Sequence, residues 1–220
     1  MTRQQLEAIA GFIYESGQLK HSKRQGWWQA GIKDPETVAE HSFRVAVIGY
    51  VLALMEDADP AITAATCLFH DIVETRLGDI PNVAKHYTSP ETPEVVAADQ
   101  VADMPSALAD HIKGLVHNYS EQTSKEAILA RDADKLECVM QAREYQTHGY
   151  QNVEPWITSN LAKLKSASAH ALATVAQELP PDQWWKTFAP TYSNRAGPTQ
   201  QPREEVGGPD DPKRQDLRRQ

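Results

Sequence analysis

Apolar residues recur at helical spacing along most of this chain, and no series of segments shows the two-residue alternation of half-buried strands. That periodicity restricts the chain to an all-α architecture in which helices share a core. From Thr37 onward, Val38, Val45, Ile48, Leu52 and Met55 fall on one helical stripe, and Thr37-Val38-Ala39-Glu40 has the form of a capping box. His41 lies in the first turn on that stripe, so its side chain should point inward. A second helix is expected to start after Asp59-Pro60, to carry Ile62, Ala65, Leu68 and Phe69 up to His70-Asp71, and to fade near Gly78. Pro81, Pro90 and Pro93 make 79–93 a loop with short helical pieces. Helices are then predicted over 93–104, 105–119 and 125–147. The last places Ile128, Arg131, Asp134, Cys138, Gln141 and Tyr145 on one face, which turns Asp134 inward. A final long helical pattern spans 153–179.

From about residue 193, Val206 and Leu217 are the only larger aliphatic residues, too little apolar surface to offset chain ordering. The expected organisation is one helical domain over 1–190 and a disordered tail over 191–220. The formal charge of -8, from 22 Lys+Arg against 30 Asp+Glu, argues against an extended nucleic-acid footprint but allows a local basic cluster to grip one phosphate. Cys67 and Cys138 lie inside apolar helical patterns, as reduced core side chains rather than a disulfide framework. The start of the chain resembles an amphipathic helix rather than a signal peptide. No later apolar run is expected to span a membrane, so cytoplasmic residence is the default.

His41, His70, Asp71 and Asp134 could together hold one divalent cation, which would lower the pKa of a bound water toward neutrality. Imidazole with carboxylate suits Mn, Co, Fe, Ni or Zn and does not select among them. Glu74, four residues after His70, could exchange a proton beside the metal. Taken singly, His41 is a core histidine, His70-Asp71 a buried ion pair, and Glu74-Arg76 and Asp132-Lys135 solvated pairs on helix faces. Their joint order favours a site. Upstream, Arg24 offers a planar guanidinium for a phosphate and Trp27 a flat apolar wall for a sugar or base; on their own they form a basic turn followed by aromatic packing. His111 and His117 are separated by about 600° of helix, or about 240° net, so they do not share a face and leave a single catalytic metal.

The runs LKHSKRQGWW, ETVAEHS, HDIVETRLGDIP and DADKLECVMQAREY, in that order, resemble the 5'-deoxynucleotidase branch of the HD-domain metal-dependent phosphohydrolases across about 12–165. The resemblance implies an HD-domain helical bundle, homodimeric, that removes the 5'-phosphate from deoxyribonucleoside monophosphates, a small-molecule substrate. It implies His41, His70, Asp71 and Asp134 as metal ligands, Glu74 as catalytic acid/base and Arg24 as the phosphate-orienting arginine. Trp27 and Asp79 are implied as deoxyribose or substrate contacts, with Asn82 in the same loop. Asp132 and Asp134 cannot share a helix face at a two-residue step, and the family register counted back from Gln141-Ala142-Arg143-Glu144-Tyr145 selects Asp134. The segment 83–93 carries no family signature. Two alternatives stand beside this reading: an HD-domain hydrolase of a deoxynucleoside triphosphate or cyclic dinucleotide, and a nucleotide-sensing module without turnover. Glu74 argues against the second, because a sensor needs no proton-transfer group.

Overall fold

A computed structural model describes residues 1–186 and 188. Among them are eleven α-helices and no strand, as the periodicity requires. They are α1 (Arg3–Ser16), α2 (Val38–Met55), α3 (Pro60–Phe69), α4 (Glu74–Leu77), α5 (Asn82–Lys85), α6 (Pro93–Gln100), α7 (Ser106–Glu121), α8 (Lys125–Thr147), α9 (Glu154–Leu161), α10 (Ala167–Glu178) and α11 (Gln183–Lys186). The chain divides into two units, Met1–Pro181 and Asp182–Gln220. In the second, α11 carries an ion pair between Lys186 and Asp182. The tail expected over 191–220 lies outside the described residues.

Local chemistry sets the helix starts. Thr37 and Glu40 form the expected capping box at α2, Thr2 and Gln5 form another at α1, and Asp59 accepts N–H bonds from Ala61 and Ile62 with Pro60 in the first turn of α3. α8 is the central rod, its middle buried on nearly every side. Leu129, Ala133 and Leu136 pack with Val45 and Leu52 of α2, while Val139 and Ala142 pack with Trp27 and Ile157.

Several sequence expectations change. The second helix does not run to Gly78: α3 stops at Phe69, 70–73 form a tight turn, and the chain re-enters helix as α4. The cause is His70, whose Nδ1 bonds to the Cys67 carbonyl at 2.6 Å, the acceptor that a continuing helix would give to the Asp71 N–H. The turn then closes with Ile72 N–H to Phe69 O and Glu74 N–H to Asp71 O. Likewise 153–179 is two helices, broken before α10 because Asp132 accepts the N–H groups of Lys165 and Ser166 at 2.9 and 2.7 Å. Met55, on the stripe expected to face inward, is about half exposed, as are Ile62 and Leu68 of α3. α3 instead turns Thr63, Thr66 and Cys67 to the core, because α2 and α3 approach too closely for larger side chains.

The point of closest approach is Gly49, where an added Cβ would lie 2.4 Å from Cys67 Sγ and 3.3 Å from Thr63 Cγ2. Gly49→Ala gains about 1 kcal/mol of helix propensity but overpacks a fully buried seam, which costs about 1–3 kcal/mol or more. A net loss in Tm of several degrees is expected in calorimetry; a variant melting above wild type would show that the seam can spread.

The expectation that no apolar run could span a membrane also fails on length. α2 is 18 residues and apolar enough by length and composition alone. Its hydropathy is high because it carries a second, outward stripe, Phe43, Val47, Tyr50, Val51 and Leu54, beside the inward one. Yet α2 also carries His41 and Arg44 and buries eight residues within the bundle.

Candidate active site

Two fully enclosed imidazoles define the site. His41 reaches it from the first turn of α2, and its Nδ1 contacts Glu137 Oε2 at 2.5 Å. His70 reaches it from the end of α3, with Nδ1 committed to the Cys67 carbonyl. A carboxylate and a carbonyl can only accept, so in each ring Nδ1 is the donor, and Nε2 is the nitrogen left to face a cation. Both Nε2 atoms are buried and have no hydrogen-bond partner. They converge on carboxylates nonetheless: His70 Nε2 lies 3.0 Å from Asp71 Oδ2, and His41 Nε2 lies 3.9 Å from the same oxygen and 3.3 Å from Asp134 Oδ1. Buried polar atoms without hydrogen-bond partners next to anionic oxygens suit the binding of a cation.

His41, His70 and Asp71 bring one ligand atom each within 4.8 Å of one another. Asp134 adjoins this group through His41, while its other oxygen accepts the Tyr119 hydroxyl at 2.7 Å and pairs with Lys135 at 2.6 Å. Asp132, two residues earlier on α8, points away, its carboxylate consumed by the start of α10. Asp132-Lys135 is therefore no solvated pair: Asp132 is buried and Lys135 serves Asp134.

The electrostatics call for positive charge. Burial and Arg24 oppose protonation of His41, but Glu137 and Asp134 outweigh them and lift its pKa to about 10. Burial raises the Asp71 carboxyl, yet His70, Arg24 and His41 hold it well below its usual range. Glu74 goes the other way. Burial first, then Asp71 and Asp79, push it up to about 10 against the pull of Arg24 and His41, and its Oε2 is buried without a partner. Burial thus favours the neutral form of Glu74, while the charges around Asp71 and Asp134 favour their ionised forms.

Arg24 enters from the opposite wall. The strand-like pairing of 22–24 with 36–38, through Arg24 N–H to Glu36 O and Val38 N–H to Ser22 O, fixes it beside the start of α2. Its Nη1 lies 3.3 Å from Asp79 Oδ1 and 3.5 Å from Asp71 Oδ2. Asp79 also accepts the Gln25 N–H at 2.6 Å, so it aims Arg24 and anchors the turn carrying Trp27. A cavity opens over this group, lined by Arg24, Trp27, Asp71, Glu74, Asp79 and Asn82 among others. The structure thus brings all nine residues singled out in the sequence to one place. Trp27, only 2% exposed, is more a core residue than a free wall: its Nε1 donates to Glu36, and its ring packs against Tyr145 and stacks on Trp156.

Sequence reasoning missed Glu137, Tyr119 and Lys135 at the ligands, and Trp156, Asn160 and Lys163 on the cavity wall. Glu137 had one usable signal, a charged residue three after Asp134 within an otherwise apolar run. The others depend on contacts between distant segments. His111 and His117 are exposed on α7, away from the ligands.

Residues 16–176 match the HD domain family. The 5'-deoxynucleotidase hdd1 of Schizosaccharomyces pombe is 31% identical over 149 residues, covering 63% of this chain and 73% of that protein. The 5'-deoxynucleotidase HDDC2 of zebrafish, Danio rerio, is 33% identical over 149 residues, covering 64% and 71%. Among solved structures, a conserved hypothetical protein from Pyrococcus furiosus superposes with a TM-score of 0.63 at 28% identity, covering 76% of this chain and 98% of that one.

Proposed function

This chain belongs to the HD domain family, a family of metal-dependent phosphohydrolases, and on that premise we propose that it is a 5'-deoxynucleotidase, a phosphomonoesterase acting on deoxyribonucleoside 5'-monophosphates. The observation that carries the reading is the pair of buried, unpartnered Nε2 atoms of His41 and His70 facing Asp71, with the buried, unpartnered Glu74 carboxyl beside them.

His41, His70, Asp71 and Asp134 would hold one divalent cation, of the Mn, Co, Fe, Ni or Zn kind. When bound, it supplies Lewis acidity toward a phosphoryl oxygen and lowers the pKa of water. The protein's own groups do the rest. Arg24, aimed by Asp79, orients the phosphate through its planar guanidinium. Glu74 delivers a proton to the departing 5'-oxygen of the nucleoside. Trp27 and Asn82 flank the sugar. Phosphate release from a panel of deoxy- and ribonucleoside mono- and triphosphates, with each metal added to stripped protein, tests the assignment. Turnover confined to triphosphates, or none with any metal, would overturn it.

Trp27 is proposed to crowd the 2' position. Its indole is clamped by Glu36, Tyr145 and Trp156, so it cannot swing aside to admit a hydroxyl. An unpaired hydroxyl in such a site supports roughly tenfold to hundredfold discrimination against ribonucleotides. Because Trp27 is core, alanine there would cost about 3–5 kcal/mol, and Trp27→Phe is the better probe. The deoxy-to-ribo ratio of kcat/KM should narrow in that variant; an unchanged ratio rejects the role.

The homodimer implied by the resemblance is kept as a proposal, supported by the outward stripe of α2. Cytoplasmic residence, supported by two free buried cysteines, and the absence of a membrane or nucleic-acid partner are kept likewise.

A further inference from the structure

Glu137 is a fully buried carboxylate at a level of α8 where Ala133, Leu136, Val139 and Ala142 supply apolar packing. Burying such a charge is costly unless every oxygen is paired. Both are. Oε2 faces His41 Nδ1, and Oε1 accepts two N–H bonds from Arg44, Nε at 2.9 Å and Nη2 at 2.7 Å. Arg44 spends its other donors on Gln141 Oε1 and Glu144 Oε1, each at 2.6 Å. The chain of contacts thus links two positions one turn apart on α2 with three positions on successive turns of α8.

We propose that Glu137 is a positioning residue for the metal ligand His41, and that Arg44 holds Glu137 in place. This rests on the metal reading given above. With Nδ1 bonded to an acceptor-only group, the His41 ring can neither flip nor change tautomer, and its Nε2 lone pair stays aimed at the site. The partner is charged, which strengthens Nε2 as a donor. His70 obtains its orientation from a neutral carbonyl instead, so the two imidazoles are unequal ligands and His41 is the stronger. His41, Glu137 and Cys138 could also be taken as a cation site in their own right. The two guanidinium bonds from Arg44 to Glu137 exclude this, because an ion there would sit against a fixed positive charge.

The test is calorimetric titration of Co2+ into the metal-stripped full chain, with the visible absorption of the Co2+ form as a second readout. Glu137→Gln is expected to weaken Co2+ binding about 10- to 100-fold and to shift the absorption bands, since losing the partner of a ligating histidine has an effect of that order. Asp132→Asn removes an equally buried carboxylate of α8 that faces α10; it should lower Tm and leave Co2+ affinity and spectrum unchanged. If Glu137→Gln does not fold, Arg44→Lys, which keeps the charge and loses the fork, should weaken Co2+ binding about threefold or more. Unchanged affinity in Glu137→Gln or, where that does not fold, in Arg44→Lys overturns the inference, as does equal weakening in Asp132→Asn. Wild-type protein that binds no Co2+ overturns the metal reading itself, so the two failures are distinguishable.

Discussion

Asp71→Ala, and equally His70→Ala, will leave a folded protein without bound metal and without phosphohydrolase activity. Asp71 contributes an oxygen that faces both imidazole Nε2 atoms and also faces Arg24, so its loss removes a ligand and one of the two carboxylates beside the phosphate-orienting group. Lewis-acid stabilisation contributes several kcal/mol to such reactions, so kcat/KM should fall roughly a thousandfold or more. Most helix should survive, because both residues sit in the turn between α3 and α4. Elemental analysis and circular dichroism on the same preparation are decisive: stoichiometric metal with normal turnover in either variant removes the site.

Glu74→Gln separates proton transfer from metal binding. Turnover should drop by roughly two orders of magnitude or more with metal content retained, because the amide keeps size and polarity but cannot donate a proton to the leaving oxygen. Near-wild-type turnover would reject the role. Stability gives an independent check. Burial and the neighbouring Asp71 and Asp79 raise the folded-state pKa to about 10, so across neutral pH the metal-free native state holds a proton that the unfolded chain has released. That linkage lowers wild-type stability as pH climbs from the ordinary glutamate range toward 10. Metal-free Glu74→Gln should therefore be at least as stable as metal-free wild type, with a gap that widens over that window. A gap that stays constant over that window would mean that Glu74 is ionised in the folded protein.

What the sequence made legible was local in origin. The capping box at Thr37, the inward aim of His41, the extent of α8 and the inward aim of Asp134 follow from helical period and end chemistry, and the structure has them as expected. What it concealed depends on contacts across the chain. The end of α3 is decided by the His70 ring taking a carbonyl, which no propensity encodes. The family register selects Asp134 over Asp132, but the task of Asp132, accepting the N–H groups of Lys165 and Ser166 more than thirty residues on, is not legible in the sequence. Glu137 meets His41 across 96 residues, and Tyr119 reaches Asp134 from α7. The burial of Trp27 likewise required Trp156, which arrives from α9.

α8 serves several neighbours at once: Asp132 holds the entry to α10, Asp134 and Glu137 serve the histidines, and Tyr145 accepts the Glu36 N–H. Inserting or deleting one residue between them would swing everything beyond it by about 100°. This rod can therefore exchange side chains between those positions but not change the spacing among them. The loop over 79–93, which contains only the short α5, is where lineages can lengthen or shorten and so remodel the cavity mouth without disturbing the ligands.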